Sequence, residues 1–236
     1  MNWDDFDAAL FDLDGVLTPT AEVHMRAWNH MFNAFLIGRG VSEPYIDADY
    51  FDHVDGKPRY DGVRSFLASR AITLREGSPD DPPDAETVCG LGNLKNDAFS
   101  RVLADEGVQP YPRSVRLLDH LAERGTAVAV VSSSRNAPAV LAAAGLADRF
   151  TVVIDGQVAA QEGLAGKPSA QTFSVAAERL GTTAARSVVF EDAVSGVQAG
   201  RAGDFGLVVG VDRGAGEPAL RAAGADLVVR ELDELI

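Results

Sequence analysis

The chain has 236 residues, of which 46% are hydrophobic and 24% charged, and its net charge is −14 at pH 7. This charge argues against a nucleic-acid binder, which needs a basic face, and against docking on an anionic lipid surface. No apolar run reaches the ~20 residues of a membrane span. The acidic first residues lack the basic start and apolar stretch of a signal peptide, so we expect a cytoplasmic protein. The single cysteine, Cys89, excludes an intramolecular disulfide.

The first part of the chain combines one buried strand with a helical block. Residues 8–11 (AALF) predict a strand that ends in the polar sequence DLDG. Beyond them the apolar spacing predicts helices over residues 21–37, 46–53, 60–71 and 85–106, with a loop over residues 75–84 that is rich in proline and aspartate. We therefore predict a core domain of residues 1–19 and 107–236, with a helical domain of residues 20–106 inserted after the first strand.

The second part of the chain alternates strands with helices. The predicted strands span residues 127–131, 151–154, 187–190, 207–211 and 227–229. The predicted helices span residues 115–124, 137–144, 168–180, 194–202 and 217–223. Such alternation predicts an α/β fold with a Rossmann-like parallel sheet that helices cover on both faces.

Polar side chains follow several of these strands, at the edge of the sheet where ligands bind in open α/β folds. Their types are complementary, since carboxylates, a hydroxyl and an amine come together. They are Asp12, Asp14, Ser132, Glu191 and Asp192 at strand ends and Lys167 just before a helix.

Asp12 and Asp14 suit phosphoryl transfer through an aspartyl-phosphate. An ionised carboxylate at Asp12 can attack phosphorus without a base to activate it. Asp14 lies two residues further on, toward the same face. It can give a proton to the leaving oxygen and take one from the next acceptor.

Two anions and a phosphate cannot cluster without a counter-ion. The carboxylates of Asp12 and Asp192 and the main-chain carbonyl of Asp14 form an oxygen set that suits Mg²⁺, to which Glu191 can add a ligand. Ser132 would donate a hydrogen bond to a phosphate oxygen, and Lys167 would neutralise another.

Four motifs in this order resemble those of the haloacid dehalogenase superfamily. They are residues 11–17 (FDLDGVL), 130–134 (VVSSS), 166–168 (GKP) and 190–197 (FEDAVSGV). The resemblance covers the whole chain and implies that the helical block is that superfamily's cap. It also implies phosphoryl transfer rather than dehalogenation, because dehalogenases of the superfamily lack the aspartate at the position of Asp14.

Within the superfamily the chain is most similar to the β-phosphoglucomutase family, which interconverts β-glucose 1-phosphate and glucose 6-phosphate through the 1,6-bisphosphate. Residues 18–28 resemble the hinge and first cap helix, residues 56–61 the specificity loop, and residues 93–97 the cap lysine segment. Residues 132–136 resemble the phosphate-binding loop. The implied substrate contacts are Thr20, His24, Trp28, Gly56, Arg59, Lys95, Ser134 and Asn136. The specificity loop and the loop near Pro82 depart from the family's pattern, which leaves the sugar open.

Two alternatives stay open. A phosphatase acting on a small phosphorylated metabolite would share the core residues and would differ in letting water reach the aspartyl-phosphate. A non-catalytic relative would bind a phosphorylated ligand or a protein, but it predicts loss of Asp12, Asp14, Lys167 or Asp192, and all are present. The expected partner is a small phosphorylated sugar or metabolite, and the expected state is a monomer or homodimer.

Overall fold

The computed structural model describes all 236 residues and divides the chain into two compact units. The core unit comprises Met1–Pro19 and Val108–Ile236, and the helical unit comprises Thr20–Gly107. The role of the helical unit as a cap stays a prediction. No helix is both long enough and apolar enough to cross a membrane.

The core unit is built on one six-stranded parallel sheet with the strand order β3-β2-β1-β4-β5-β6. The strands are β1 Ala8–Phe11, β2 Ala127–Val131, β3 Val152–Ile154, β4 Ser187–Glu191, β5 Leu207–Val211 and β6 Leu227–Val229. All six lie where the apolar runs predict them, and the α/β fold class is confirmed. Every residue of β1 and β4 is buried, as expected for central strands with both faces covered.

Six helices accompany the sheet. They are α5 Pro112–Arg124, α6 Ala137–Ala143, α7 Gly156–Glu162, α8 Gln171–Arg179, α9 Val194–Ala202 and α10 Glu217–Ala223. The sequence pattern does not predict α7, because it is short and begins at a glycine, which is a weak helix former. The carboxylate of Asp155 caps α7 by accepting from the backbone N–H groups of Gln157 (2.9 Å) and Val158 (2.7 Å).

The helical unit contains α1 Thr20–Gly38, α2 Asp47–Asp49, α3 Arg59–Ser69 and α4 Val88–Glu106. The helix predicted over residues 46–53 is wrong in form, because α2 is short and passes into one π-helical segment, Tyr50–Val54. The helix predicted from residue 85 begins only at Val88, because the Thr87 hydroxyl caps it by accepting from Gly90 N–H (2.9 Å). An aromatic cluster fills the interior, with Phe32 and Phe66 at a ring separation of 4.2 Å.

Candidate active site

The ends of three neighbouring strands bring the core motifs together. β1 lies between β2 and β4, and Phe11 is in register with both Val130 and Phe190. The residue after Phe11 continues the ladder, since Asp12 N–H donates to Phe190 O (2.9 Å). Ser132 N–H likewise donates to Ile154 O (2.9 Å) across β2 and β3. Asp12, Ser132 and the end of β4 therefore share one edge of the sheet.

Lys167 reaches this edge from the loop before α8. Its Nζ donates to Asp12 Oδ1 (2.5 Å) and to Val131 O (2.9 Å), and it forms an ion pair with Glu191. The ammonium also lies 5.1 Å from the centre of the Phe173 ring, where the ring face favours a cation. One buried amine thus holds two buried carboxylates.

The carboxylates at this edge are poorly compensated. Burial raises the pKa of Asp12 to about 6, against the lowering effect of Lys167. Burial likewise raises the pKa of Glu191 to about 8, again opposed by Lys167. Burial alone would lower the pKa of Lys167, but the charges of Asp12 and Glu191 outweigh it and the net shift is upward. A further positive charge would stabilise both carboxylates.

Asp12, Glu191 and Asp192 form a buried cluster whose carboxylate oxygens lie within 4.8 Å of one another. A donor set made only of carboxylate oxygens suits a hard divalent cation. Burial raises the pKa values of both Asp12 and Glu191, and a bound cation would favour their ionised forms. A divalent cation therefore fits this cluster, and the carbonyl of Asp14 stays a predicted additional ligand.

The loop after β1 is closely packed on Asp192. Gly15 has φ +86°, and a Cβ atom there would collide with the Asp192 carboxylate. Gly15 N–H donates to Thr18 O (2.7 Å), which closes the turn. Only glycine satisfies both the left-handed backbone and the close approach.

Three residues that the sequence did not suggest hold the carbonyls of this loop. Arg213 Nε donates to Gly15 O (3.0 Å), and its guanidinium stacks 4.2 Å above the Tyr111 ring and pairs with Glu231. Ser114 Oγ donates to the carbonyl oxygen of residue 16 (2.7 Å), and Tyr111 N–H donates to that of residue 17 (2.9 Å). No motif marks these positions, because they lie far along the chain from the loop.

The loop after β2 presents the predicted phosphate contacts. The Ser132 hydroxyl is buried and accepts from Ser134 N–H (3.1 Å), so its own proton is left for another acceptor. The Ser134 hydroxyl accepts from Asn136 N–H (3.1 Å). Ser134 and Asn136 are partly buried.

The helical unit brings together three of the predicted substrate contacts. Lys95 Nζ contacts His24 Nδ1 and lies 4.9 Å from the centre of the Trp28 ring. His24 stacks on Phe99 with the ring centres 4.0 Å apart. A hydrogen bond between two nitrogens needs one of them to lack a proton, so one of these two nitrogens donates and the other accepts. Thr20, the first residue of α1, is buried.

Arg59 occupies a different place in the same unit. Its guanidinium donates to Asn96 Oδ1 (2.6 Å) and Asn93 Oδ1 (3.3 Å). Gly56 lies in the turn that precedes α3, with φ +68°. The structure thus places Arg59 among the amides of α4, and Gly56 contributes a backbone turn.

Several known proteins are similar to this chain in sequence and in fold. A family model described as haloacid dehalogenase-like hydrolase matches residues 6–204. The chain belongs to this family. It is 52% identical over 239 residues to a β-phosphoglucomutase of Mycobacterium bovis, covering 97% of this chain and 91% of that protein. It is also 31% identical over 199 residues to the fructose-1-phosphate phosphatase YqaB of Escherichia coli, covering 84% and 93% of the two chains.

A solved structure of β-phosphoglucomutase from Clostridium difficile has the same fold. Its TM-score is 0.77 at 24% sequence identity, and the match covers 98% of this chain and 93% of that one. The superfamily predicted from the four motifs is therefore confirmed, whereas the roles of the individual site residues stay predictions.

Proposed function

We propose that the protein is a magnesium-dependent β-phosphoglucomutase, which converts β-glucose 1-phosphate to glucose 6-phosphate through the 1,6-bisphosphate. The observation that carries phosphoryl transfer is the buried arrangement in which Lys167 holds Asp12 beside the carboxylates of Glu191 and Asp192. The choice of a mutase is supported by the relative that shares 52% of its residues over nearly the whole chain.

In the first half-reaction, an oxygen of Asp12 attacks the phosphorus atom of the bisphosphate, and the bond from phosphorus to the sugar oxygen breaks. Asp14 donates a proton to that sugar oxygen, so a sugar monophosphate leaves and Asp12 carries the phosphoryl group. In the second half-reaction, Asp14 takes the proton from a hydroxyl of the incoming sugar phosphate, whose oxygen then attacks the phosphorus atom of the aspartyl-phosphate. The bond from phosphorus to the Asp12 oxygen breaks, which releases the bisphosphate and restores the carboxylate of Asp12.

The phosphoryl oxygens carry negative charge throughout this transfer. Lys167 neutralises part of it, and Ser132 donates a hydrogen bond from its free proton. Asp12, Glu191 and Asp192 would hold Mg²⁺, which would supply further positive charge to the site. The site therefore stabilises the transferring group, and Asp12 itself needs no base to act as the nucleophile.

The substrate has a second phosphate that does not react. Arg59 can bind it with two parallel N–H groups, and Ser134 and Asn136 can donate to the same ligand. Lys95 and His24, which share a hydrogen bond in the helical unit, would contact the sugar phosphate. In this proposal the helical unit is the cap, and it determines which sugar is accepted.

A phosphatase is the second candidate, and the phosphatase of Escherichia coli among the relatives favours it. The two activities differ in whether water or a sugar hydroxyl receives the phosphoryl group from Asp12. A paired assay separates them, with β-glucose 1-phosphate, Mg²⁺ and a trace of glucose 1,6-bisphosphate as reactants. Glucose 6-phosphate is followed by a coupled dehydrogenase, and free phosphate is measured in parallel.

We expect glucose 6-phosphate to form much faster than free phosphate. Free phosphate alone would contradict the mutase and support the phosphatase. If neither product forms, the proposed sugar is wrong. Phosphoryl transfer is then tested by the Asp12 variant described in the Discussion.

A further inference from the structure

The side-chain amide of Asn93 joins the loop before α4 to Arg59. Its Nδ2 donates to Pro79 O (3.0 Å) and to Asp81 O (2.8 Å). Its Oδ1 accepts from the Tyr60 hydroxyl (3.0 Å) and from Arg59 Nη1 (3.3 Å). An amide side chain has two donor hydrogens and two acceptor sites, and all four are used here. This orientation of the Asn93 amide is fixed, because exchanging Nδ2 and Oδ1 would set the Asn93 N–H donors against the N–H donors of Arg59.

The loop segment that Asn93 binds is held in place by its own contacts. Asp81 accepts from the Thr87 hydroxyl through its carboxylate (2.6 Å), and Thr87 also caps α4. Ala85 N–H donates to Pro82 O (3.0 Å) and closes a turn that lies between Asp81 and Thr87. The loop is therefore a fixed support for the amide of Asn93.

The same helix sets the path of the arginine side chain. A Cβ atom on Gly92 would lie 2.8 Å from the Tyr60 ring and 3.1 Å from Cδ of Arg59, so both side chains rest on the α4 backbone at this glycine. Asn93 and Asn96 then hold the guanidinium at the far end. Both of these acceptors are neutral amides, so the two hydrogen bonds orient the guanidinium without adding a negative charge.

We propose that Asn93 is a positioning residue that fixes the guanidinium of Arg59, and that the loop Ser78–Ala85 acts through it to set the affinity for the non-reacting phosphate. This rests on the proposed function, in which Arg59 binds that phosphate. Asn93 touches no reacting atom. Its effect is on the affinity for a substrate that carries a second phosphate.

The decisive variant is Asn93→Asp. A carboxylate still accepts from Tyr60 and Arg59, but it cannot donate to the loop carbonyls, and its charge competes with the phosphate for the guanidinium. We expect KM for glucose 1,6-bisphosphate to rise about tenfold or more, the scale of one hydrogen bond to a charged group. We expect kcat to change far less than KM.

Two further measurements distinguish this rise in KM from a loss of folding. The matched control is Asn33→Asp, because the Asn33 amide in the same unit also donates to two oxygens (Tyr45 O, 3.1 Å, and Asn29 Oδ1, 3.2 Å) and accepts from the Tyr45 N–H (2.9 Å). It should lower the melting temperature without raising KM. The second measurement is the ratio of kcat/KM for the bisphosphate to that for acetyl phosphate, which has no second phosphate. Asn93→Asp should lower this ratio.

The reference variant is Arg59→Ala, which should raise KM for the bisphosphate at least as much as Asn93→Asp. If Arg59→Ala raises KM and Asn93→Asp behaves like Asn33→Asp, the positioning role of Asn93 is overturned and the proposed function stands. If Arg59→Ala leaves KM unchanged, the role of Arg59 is wrong and the positioning role falls with it. The paired product assay judges the mutase separately, on the wild-type protein.

Discussion

Replacing Lys167 with methionine removes the amine that holds the buried carboxylates of the core unit. Methionine has about the length of lysine but no charge, so the change leaves the packing against Phe173 largely intact. Lys167 is 3% exposed, Asp12 7% and Glu191 1%. The ion pairs are therefore inside the protein, where solvent screens them little.

The magnitude follows from this burial. Removing one partner of a buried ion pair costs about 3–5 kcal/mol of unfolding free energy, because an uncompensated charge is left inside. Here two carboxylates lose the same partner, so we expect the upper part of that range at alkaline pH. Both groups can avoid the cost by taking up a proton, which makes the loss dependent on pH.

The sign of this dependence follows from the raised pKa values. Asp12 and Glu191 have folded-state pKa values of about 6 and about 8, above the usual values of about 4 for the unfolded chain. Groups of this kind stabilise the fold at low pH, and the stabilisation is lost as pH rises through the folded pKa. Each proton that the folded state retains lowers the unfolding free energy by about 1.4 kcal/mol per pH unit.

In the wild type this slope should flatten above about pH 8, where both carboxylates have released their protons. In Lys167→Met both pKa values rise further, so the slope should continue to higher pH. The variant should therefore be closest to the wild type near pH 5 and weakest near pH 9. Saturating Mg²⁺ should reduce the difference, because it replaces part of the lost positive charge.

The assay is urea unfolding without metal across this pH range, followed by tryptophan fluorescence. Trp3 belongs to the core unit and stacks near Phe190 (6.4 Å), whereas Trp28 belongs to the helical unit. A Trp28→Phe background therefore makes the signal report the core unit alone. The control is Arg186→Met, which breaks an exposed ion pair with Asp7 in the same unit and should change stability far less. A loss below about 1 kcal/mol that does not vary with pH would refute the reasoning, because it would match an exposed pair.

Three further predictions concern the nucleophile and its loop. Asp12→Asn should reduce glucose 6-phosphate formation to background and abolish the rise in melting temperature that BeF₃⁻ with Mg²⁺ gives to the wild type; substantial turnover in a clean preparation would contradict the nucleophile. Gly15→Ala, at φ +86° and against the Asp192 carboxylate, should cost about 1–3 kcal/mol of stability and weaken Mg²⁺ binding in a calorimetric titration, and unchanged binding would mean that the loop does not constrain Asp192. Arg213→Ala, which removes the donor to Gly15 O, should lower kcat more than it raises KM; Arg213→Lys, which can still donate one hydrogen bond, should restore part of kcat, and equal loss in both variants would indicate a general packing role.

The amino-acid sequence by itself determined the sheet and its polar edge. Short apolar runs such as residues 127–131 favour buried strands when they alternate with longer helical segments, and this alternation predicts parallel strands. The six strands and the α/β class therefore follow from local pattern. The carboxyl ends of parallel strands meet at one edge, which is why the strand pattern alone places Asp12 and Glu191 together. The four motifs of the sequence analysis also indicate the superfamily.

Local pattern failed at two helices. The helix expected over residues 46–53 became a short helix and a π-helical segment. The α7 helix starts at Gly156, whose weak propensity hides it, and the buried Asp155 cap stabilises it instead. Propensity is a weak guide when packing and capping supply the stability.

Only the tertiary structure decided which side chains act on which others. Lys167 contacts Asp12, which lies 155 positions away along the chain, and Arg213 contacts Gly15, which lies 198 positions away. Asn93 reaches the loop and Arg59 together because the turn of α4 at Gly92 brings them within hydrogen-bonding distance. A hydrogen bond forms only when the donor–acceptor distance lies within a range a few tenths of an ångström wide. The composition and spacing of residues do not determine the distance between segments that are remote along the chain. The sequence determines the chemical type of each side chain in the site, but the packing of the chain determines which side chains interact.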